Sequence, residues 1–218
     1  MTLAAQKYKL SDGTPARGVT TIIGENLGWS TRGLMYWAWN EGIEGRDYKE
    51  TKDKQADAGT LAHYLIDCDI KGKAPEIHEG VSREVLDKAY AALFSYYEWK
   101  QSVNMEVVAT EKVMVSEIHR YGLRPDCIAM IGGKLCVLDY KTSKGVYGDM
   151  LVQLAAYRHG WEENFPDQPL DGGHHLLRVG KEDVSFHHHF WLDLDDAWTI
   201  FLHLLEIEKI GKALKKRT

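Results

Sequence analysis

The chain has 218 residues, of which 44% are hydrophobic and 27% charged, with a formal net charge of −5. That length supports a sizeable core in a single domain, and the acidic balance excludes coating of long nucleic acids by bulk electrostatics. No apolar run reaches the roughly 18–20 residues that span a bilayer and residues 1–15 lack the apolar core of a secretion signal, so a cytoplasmic protein without membrane partners is expected.

Residues 1–18 contain Ser11-Asp12-Gly13-Thr14-Pro15 and read as a turn-rich surface segment or the start of a short strand. Val19–Ile23 reads as a short helix capped by Thr20 or Thr21, with a strand left open by its β-branched residues. From Thr31, the run Leu34, Tyr36, Trp37, Ala38, Trp39 predicts an aromatic-faced helix ending before Gly42. Trp29, Trp37 and Trp39 then form the core of a helical subdomain, which is the favoured reading, or stacking platforms for unpaired bases. Residues 41–58 mix both charges and read as a solvated linker or the exposed start of the next helix. Arg46, Lys49, Lys52 and Lys54 are candidate phosphate contacts there.

Leu61, Leu65 and Cys68 fall at helical spacing, and His63 and Asp67 share a flank of that helix. His63 is a structural or solvent-facing histidine, or a nitrogen ligand added to a carboxylate site and oriented by Asp67. After Gly72 and Pro75, Val85, Ala89, Ala92, Leu93 and Tyr96 mark the apolar face of a helix from Ser82 to Lys100. Strands follow from Val103, with Glu111 interrupting an apolar stretch that resumes at Val113, and Ser116–Gly122 reads as a turn region.

Two apolar runs, Cys127–Ile131 and Leu135–Leu138, flank Gly132-Gly133, the signature of a tight hairpin. Antiparallel pairing about that turn brings Asp126 and Asp139 to one end, and strand alternation turns Asp139 and Lys141 to one face with Tyr140 on the other. Two carboxylates beside an ammonium suit metal-assisted phosphodiester cleavage: the carboxylates hold a hard cation, and the lysine orients water or stabilises the phosphorane. A solvated hairpin with an ordinary surface ion pair is the alternative.

Thr142-Ser143-Lys144-Gly145 forms a polar exit loop, either a plain turn or a set of phosphate contacts. The helix from Met150 to Gly160 places Gln153 and Tyr157 on one face, with Arg158 as a further phosphate candidate. Residues 174–179 and 184–191 read as two strands, whose histidines are better explained as cross-strand neighbours than as a zinc tract. Asp195–Lys212 is an amphipathic helix expected to pack on the sheet, followed by a basic tail. Cys68, Cys127 and Cys136 lack CxxC spacing and read as buried apolar groups.

Pro125-Asp126 with Asp139-Tyr140-Lys141 resembles the core motif of the PD-(D/E)XK nuclease superfamily. Gly59-Thr60-Leu61-Ala62-His63 upstream and Gln153-Leu154-Ala155-Ala156-Tyr157 downstream resemble the motif histidine and QxxxY helix of its RecB-type branch. That branch includes short phage-encoded exonucleases and the mitochondrial genome-maintenance exonuclease. The resemblance covers about the central half of the chain. It implies a restriction-endonuclease-like α/β fold: one domain over 1–218, a mixed central sheet flanked by helices, a helical elaboration over 19–100 and the sheet core over 101–218.

It also implies a metal site of His63, Asp126, Asp139, Glu111 and the Tyr140 carbonyl. Magnesium or manganese would be bound, with Lys141 assisting the water and Gln153 and Tyr157 at the site edge. Some relatives carry a four-cysteine iron–sulfur cluster; three cysteines cannot build it, so none is expected here. The implied activity is a metal-dependent DNA exonuclease acting on single-stranded ends, in phage DNA processing or recombination inside a bacterial host. A recombination or single-strand-binding protein is the implied partner. A structure-specific endonuclease of the same fold, or a catalytically silent DNA-binding subunit, are the competing expectations.

Overall fold

Gly132 and Gly133 adopt φ values of +59° and +78°, the left-handed pair that a two-residue hairpin turn requires. The computed structural model describes residues 6–217; residues 1–5, part of the expected turn-rich opening, and residue 218 lie outside the described residues. In chain order the elements are β1 (Tyr8–Lys9), β2 (Pro15–Gly18), α1 (Val19–Asn26), α2 (Thr31–Ile43), α3 (Tyr48–Ile70) and α4 (Arg83–Ser102). Then come β3 (Met105–Thr110), β4 (Met114–Ser116), β5 (Tyr121–Leu123), β6 (Cys127–Ile131), β7 (Lys134–Lys141), α5 (Gly148–Asn164), β8 (His174–Val179), β9 (Phe186–Trp191) and α6 (Asp195–Lys215).

The chain is mixed α/β, as expected, but its strands form two sheets. The larger runs β3-β6-β7-β8-β9, with only the β7–β8 pair parallel, because α5 supplies the crossover that a parallel connection needs. The smaller runs β1-β2-β5-β4, with β2 parallel to β5. Ser116–Gly122, read from sequence as turn, thus contributes the end of one strand and the start of another.

Period-two alternation sorts the hairpin between two apolar layers. Ile128 and Val137 pack with α1, α5, α6 and the small-sheet residues Tyr121 and Leu123. Cys127, Ala129, Leu138 and Tyr140 pack on the other side with α3 and α4. The expected boundary near residue 100 falls at the α4–β3 junction, yet the helices before it belong to opposite layers. Val19, Ile22 and Ile23, spaced i, i+3, i+4, settle α1 as a helix of the first layer; α3 and α4 form the second.

Ser82 Oγ accepts from the Val85 amide at 3.3 Å and starts α4, and the Asp47 carboxylate accepts from Lys49 N at 2.8 Å and starts α3. α6 sits on α1 and α5 through Ala197, Phe201 and Leu204, and Phe201 also meets the Tyr121 ring of β5 edge-on at 5.0 Å, so the expected packing on a sheet is to the smaller one.

α2 departs most from expectation. Trp29 before it and Tyr36 and Trp39 within it are 58%, 65% and 61% exposed, and the one buried residue of α2 is Glu41. These aromatics are not a helical core. Leu34, Met35 and Tyr36 are consecutive and spread around the helix, so no stripe of a single face is available to bury. What tethers α2 instead is polar: Arg46 donates to Glu41 at 2.7 and 2.8 Å, and Thr51 Oγ1 donates to it at 3.1 Å.

Candidate active site

Cys127 pairs with Leu138, so one residue further along the hairpin Asp126 and Asp139 stand level at its open end. Asp126 Oδ2 accepts from the Tyr140 amide at 2.9 Å and lies 3.3 Å from His63 Nδ1 of α3. Lys141 touches Asp139 as an ion pair. The Tyr140 amide and carbonyl leave the strand toward the same side, so its carbonyl is carried on the side of Asp126. Gly59 permits the approach of α3, since a Cβ there would meet Thr142 Oγ1 at 3.0 Å.

Glu111 reaches this end through a bulge. β3 pairs Val107 with Ala129 but Ala109 with Ile128, and the extra residue re-aims the chain beyond it. The Glu111 amide donates to the Asp126 carbonyl at 3.2 Å, and Glu111 itself sits at φ +49°. Its carboxylate pairs with Arg124 at 2.8 Å. His63, Asp67, Glu111, Arg124 and Asp126 share an open depression of about 990 Å³ with Thr142 at its edge. Glu106 of the same strand faces solvent beside Met130.

The electrostatics are those of carboxylates crowded in a buried site, each beside a cationic or imidazole partner. Asp139 is 1% exposed, and the Lys141 ammonium in contact with it is its partner. Burial, reinforced by the Asp126 charge and opposed by Lys141, pushes its carboxyl up to about 6. Burial and Asp126 likewise push Glu111 up to about 7 against the pull of Arg124. Burial also works on Asp126, yet His63, Lys141 and the Tyr140 amide hold it well below the usual carboxylate range. Desolvation disfavours the His63 imidazolium, but Asp126 outweighs it and raises the group. Lys141 is raised by Asp139 and Asp126 despite its burial.

Several expected contributors are placed differently. Gln153 Nε2 donates to the Tyr157 hydroxyl at 2.7 Å and both are buried, so the pair is turned inward. Burial, then the Asp139 and Asp126 charges, push the Tyr157 phenol well up, which sets it in the field of the cluster. Arg158 binds Glu162 at 2.9 Å and the Leu192 carbonyl at 3.1 Å; these partners take up the guanidinium away from the depression. Asp67 pairs with Lys71 at 2.7 Å through Oδ2, while its buried Oδ1 has no hydrogen-bond partner among the described residues. Ser143 Oγ donates to the Gly145 carbonyl as a plain turn would, while Lys144 is exposed and Thr142 lines the site. His175 Nδ1 meets His188 Nε2 at 2.8 Å across β8 and β9, the cross-strand reading of those histidines.

Arg124 was missed. Its signal was available, since it stands two residues before Asp126 and strand-like spacing turns both to one side.

Among the described residues, no three His, Cys, Asp or Glu side chains are gathered as a ready metal cage; His63 and Asp126 contact each other, and Asp139 contacts Lys141. The donor set nonetheless suits a hard divalent cation: carboxylate oxygens, one imidazole, and a buried carboxylate beside an ammonium. Cys68, Cys127 and Cys136 are free and buried. Fold and site define a mixed α/β protein with an acidic, histidine- and lysine-bearing cluster at the open end of its central hairpin. No family model matches the chain, and no curated protein matches it.

Proposed function

We propose that this chain is a divalent-metal-dependent deoxyribonuclease of the PD-(D/E)XK superfamily, RecB-type branch, with a restriction-endonuclease-like core. It would hydrolyse phosphodiesters from single-stranded DNA ends. The observation that carries this reading is Asp139, a buried carboxylate level with Asp126 whose partner is the Lys141 ammonium. A structural ion pair has no need of a second aspartate and a histidine at the same strand end.

Asp126, Asp139 and His63 would hold the magnesium or manganese ion, with Glu111 and the Tyr140 carbonyl beside them. When bound, the ion supplies Lewis-acid polarisation of the phosphate and a more acidic water. Lys141, raised by two carboxylates, is an ammonium at neutral pH and serves as a fixed positive charge for the phosphorane. Asp126 keeps His63 oriented through the 3.3 Å contact. Gln153 and Tyr157 buttress the carboxylates from the α5 side. The phage setting, the bacterial cytoplasm and a recombination partner rest on the sequence resemblance; among the described residues no helix is long and apolar enough to cross a membrane.

The test is cleavage of end-labelled linear and covalently closed circular single-stranded DNA with magnesium, manganese or chelator. Metal-dependent loss of the linear DNA alone is expected, with Lys141→Ala slower by about 10²–10³-fold, as for loss of one charge stabiliser. Cutting of both substrates would replace the exonuclease with an endonuclease, and folded protein that binds DNA but cuts neither would refute the enzyme.

A further inference from the structure

Beside the site lies a second cleft, of about 700 Å³, that the chemistry above does not use. α2 lends it Leu34 and Trp37, the start of α3 lends Lys52 and Gln55, and the exit loop after β7 and the β8–β9 turn close it. Gln55 and Thr142 line both this cleft and the depression at Asp126. The two hollows therefore meet along one wall.

The cleft is held open by bonds on each side. Lys181 donates to Gln55 Oε1 at 2.7 Å and ties the β8–β9 turn to α3. Arg178 donates to the Lys144 carbonyl and contacts His187 Nδ1 at 2.8 Å, fixing the exit loop. Its acidic residues are engaged: Glu41 by Arg46 at 2.7 Å, Glu182 by Lys88 at 3.3 Å, and Asp183 by the Ser185 hydroxyl at 2.9 Å. Lys52 and Lys144 are exposed in the cleft lining, and Lys144 acts on Glu41 through its charge. Five basic residues against three acidic ones line this cleft, and half-buried Trp37 lines it with them.

We infer that this cleft is a binding groove for the unpaired strand that passes the site. Trp37 stacks a base while Lys52 and Lys144 take phosphates. The inference rests on the nuclease reading for its direction: a strand whose phosphate lies at Asp126 and Lys141 runs past Thr142 into the groove. Stacking on an aromatic face needs a base whose own face is free, which a single strand offers and a duplex does not. Phosphates then contribute affinity without sequence preference.

The test is binding of a fluorescein-labelled oligo(dT) dodecamer to the full chain in chelator, across a salt series. Trp37→Ala is expected to weaken binding about tenfold, the loss of one stacked base. Lys52→Gln is expected to lower the slope of log K on log salt by about 0.7, one single-strand phosphate contact. Trp39→Ala, on the same helix but outside the cleft lining, should bind as wild type, and thermal melting checks that each variant folds. A duplex dodecamer or poly-glutamate should compete poorly.

Wild-type affinity in Trp37→Ala and Lys52→Gln, or competition by duplex or polyanion as effective as by oligo(dT), would overturn the groove. Manganese-dependent hydrolysis of bis(p-nitrophenyl) phosphate by the wild type reads the site without the groove. Hydrolysis with groove-independent binding leaves the site and removes the groove; groove-dependent binding with no hydrolysis keeps the groove and removes the nuclease.

Discussion

Asp139→Asn replaces a buried carboxylate with a neutral group of the same shape. In the folded metal-free chain the Asp139 carboxyl is pushed from an ordinary 3.8 to about 6 by burial. The folded state thus favours the protonated form, so stability is full at acid pH and declines as pH rises from about 4 through about 6. Across that window the ionised carboxylate costs the fold about 3 kcal/mol. The asparagine variant escapes this loss, in which the opposing attraction of Lys141 is already counted.

In chelator at about pH 8 the variant should therefore exceed wild type by about 1–3 kcal/mol, seen as a Tm higher by several degrees for a chain of this size. Near pH 4 the two should melt together, because the wild-type carboxyl is then protonated. Manganese at a hundredfold excess over its Kd should add about 2.7 kcal/mol to wild type above pH 6 and far less to the variant. The assay is thermal denaturation followed by circular dichroism, with chelator or manganese at both pH values. A variant less stable than wild type in chelator at high pH would refute the reasoning, since the Lys141 pair would then outweigh the desolvation of Asp139. Equal stabilisation of both proteins by manganese would remove Asp139 from the metal site.

Tyr157→Phe takes the acceptor from buried Gln153 Nε2 and should cost about 1–3 kcal/mol in denaturant unfolding; an unchanged midpoint would show that Gln153 finds another partner. Gly122→Ala places a Cβ 2.0 Å from the Tyr8 ring, so overpacking between β1 and β5 should cost about 1–3 kcal/mol by the same measurement. Glu41→Ala releases the tie from α2 to Arg46 and Thr51, and limited proteolysis should then cut within residues 28–47 sooner than in wild type. Equal cleavage rates would mean that another contact holds α2.

The hairpin was legible in the sequence because everything that makes it is local. Gly132 and Gly133 need only their own φ values, alternation needs only neighbours, and together they bring Asp126 to Asp139 and set Lys141 beside it. α3 and α4 were legible for the same reason, each carrying an apolar stripe at helical spacing with buried Leu61, Leu65, Val85 and Ala89. Within the site, His63 and Glu111 were named through resemblance, and the sequence could not say how either arrives. Glu111 comes to Asp126 through an extra residue in β3 that only pairing with β6 reveals.

The remaining decisions belonged to distant partners. Whether Trp37 faces a core or a cleft depends on where the β8–β9 turn lies, more than a hundred residues later. Arg158 looked free beside Tyr157 until Glu162 and the Leu192 carbonyl claimed it, and Gln153 and Tyr157, expected together at the site edge, bond to each other in the interior. Short-range periodicity fixes which residues share a face; which neighbour that face meets is fixed by contacts far apart in the chain, and those form only when the layers assemble.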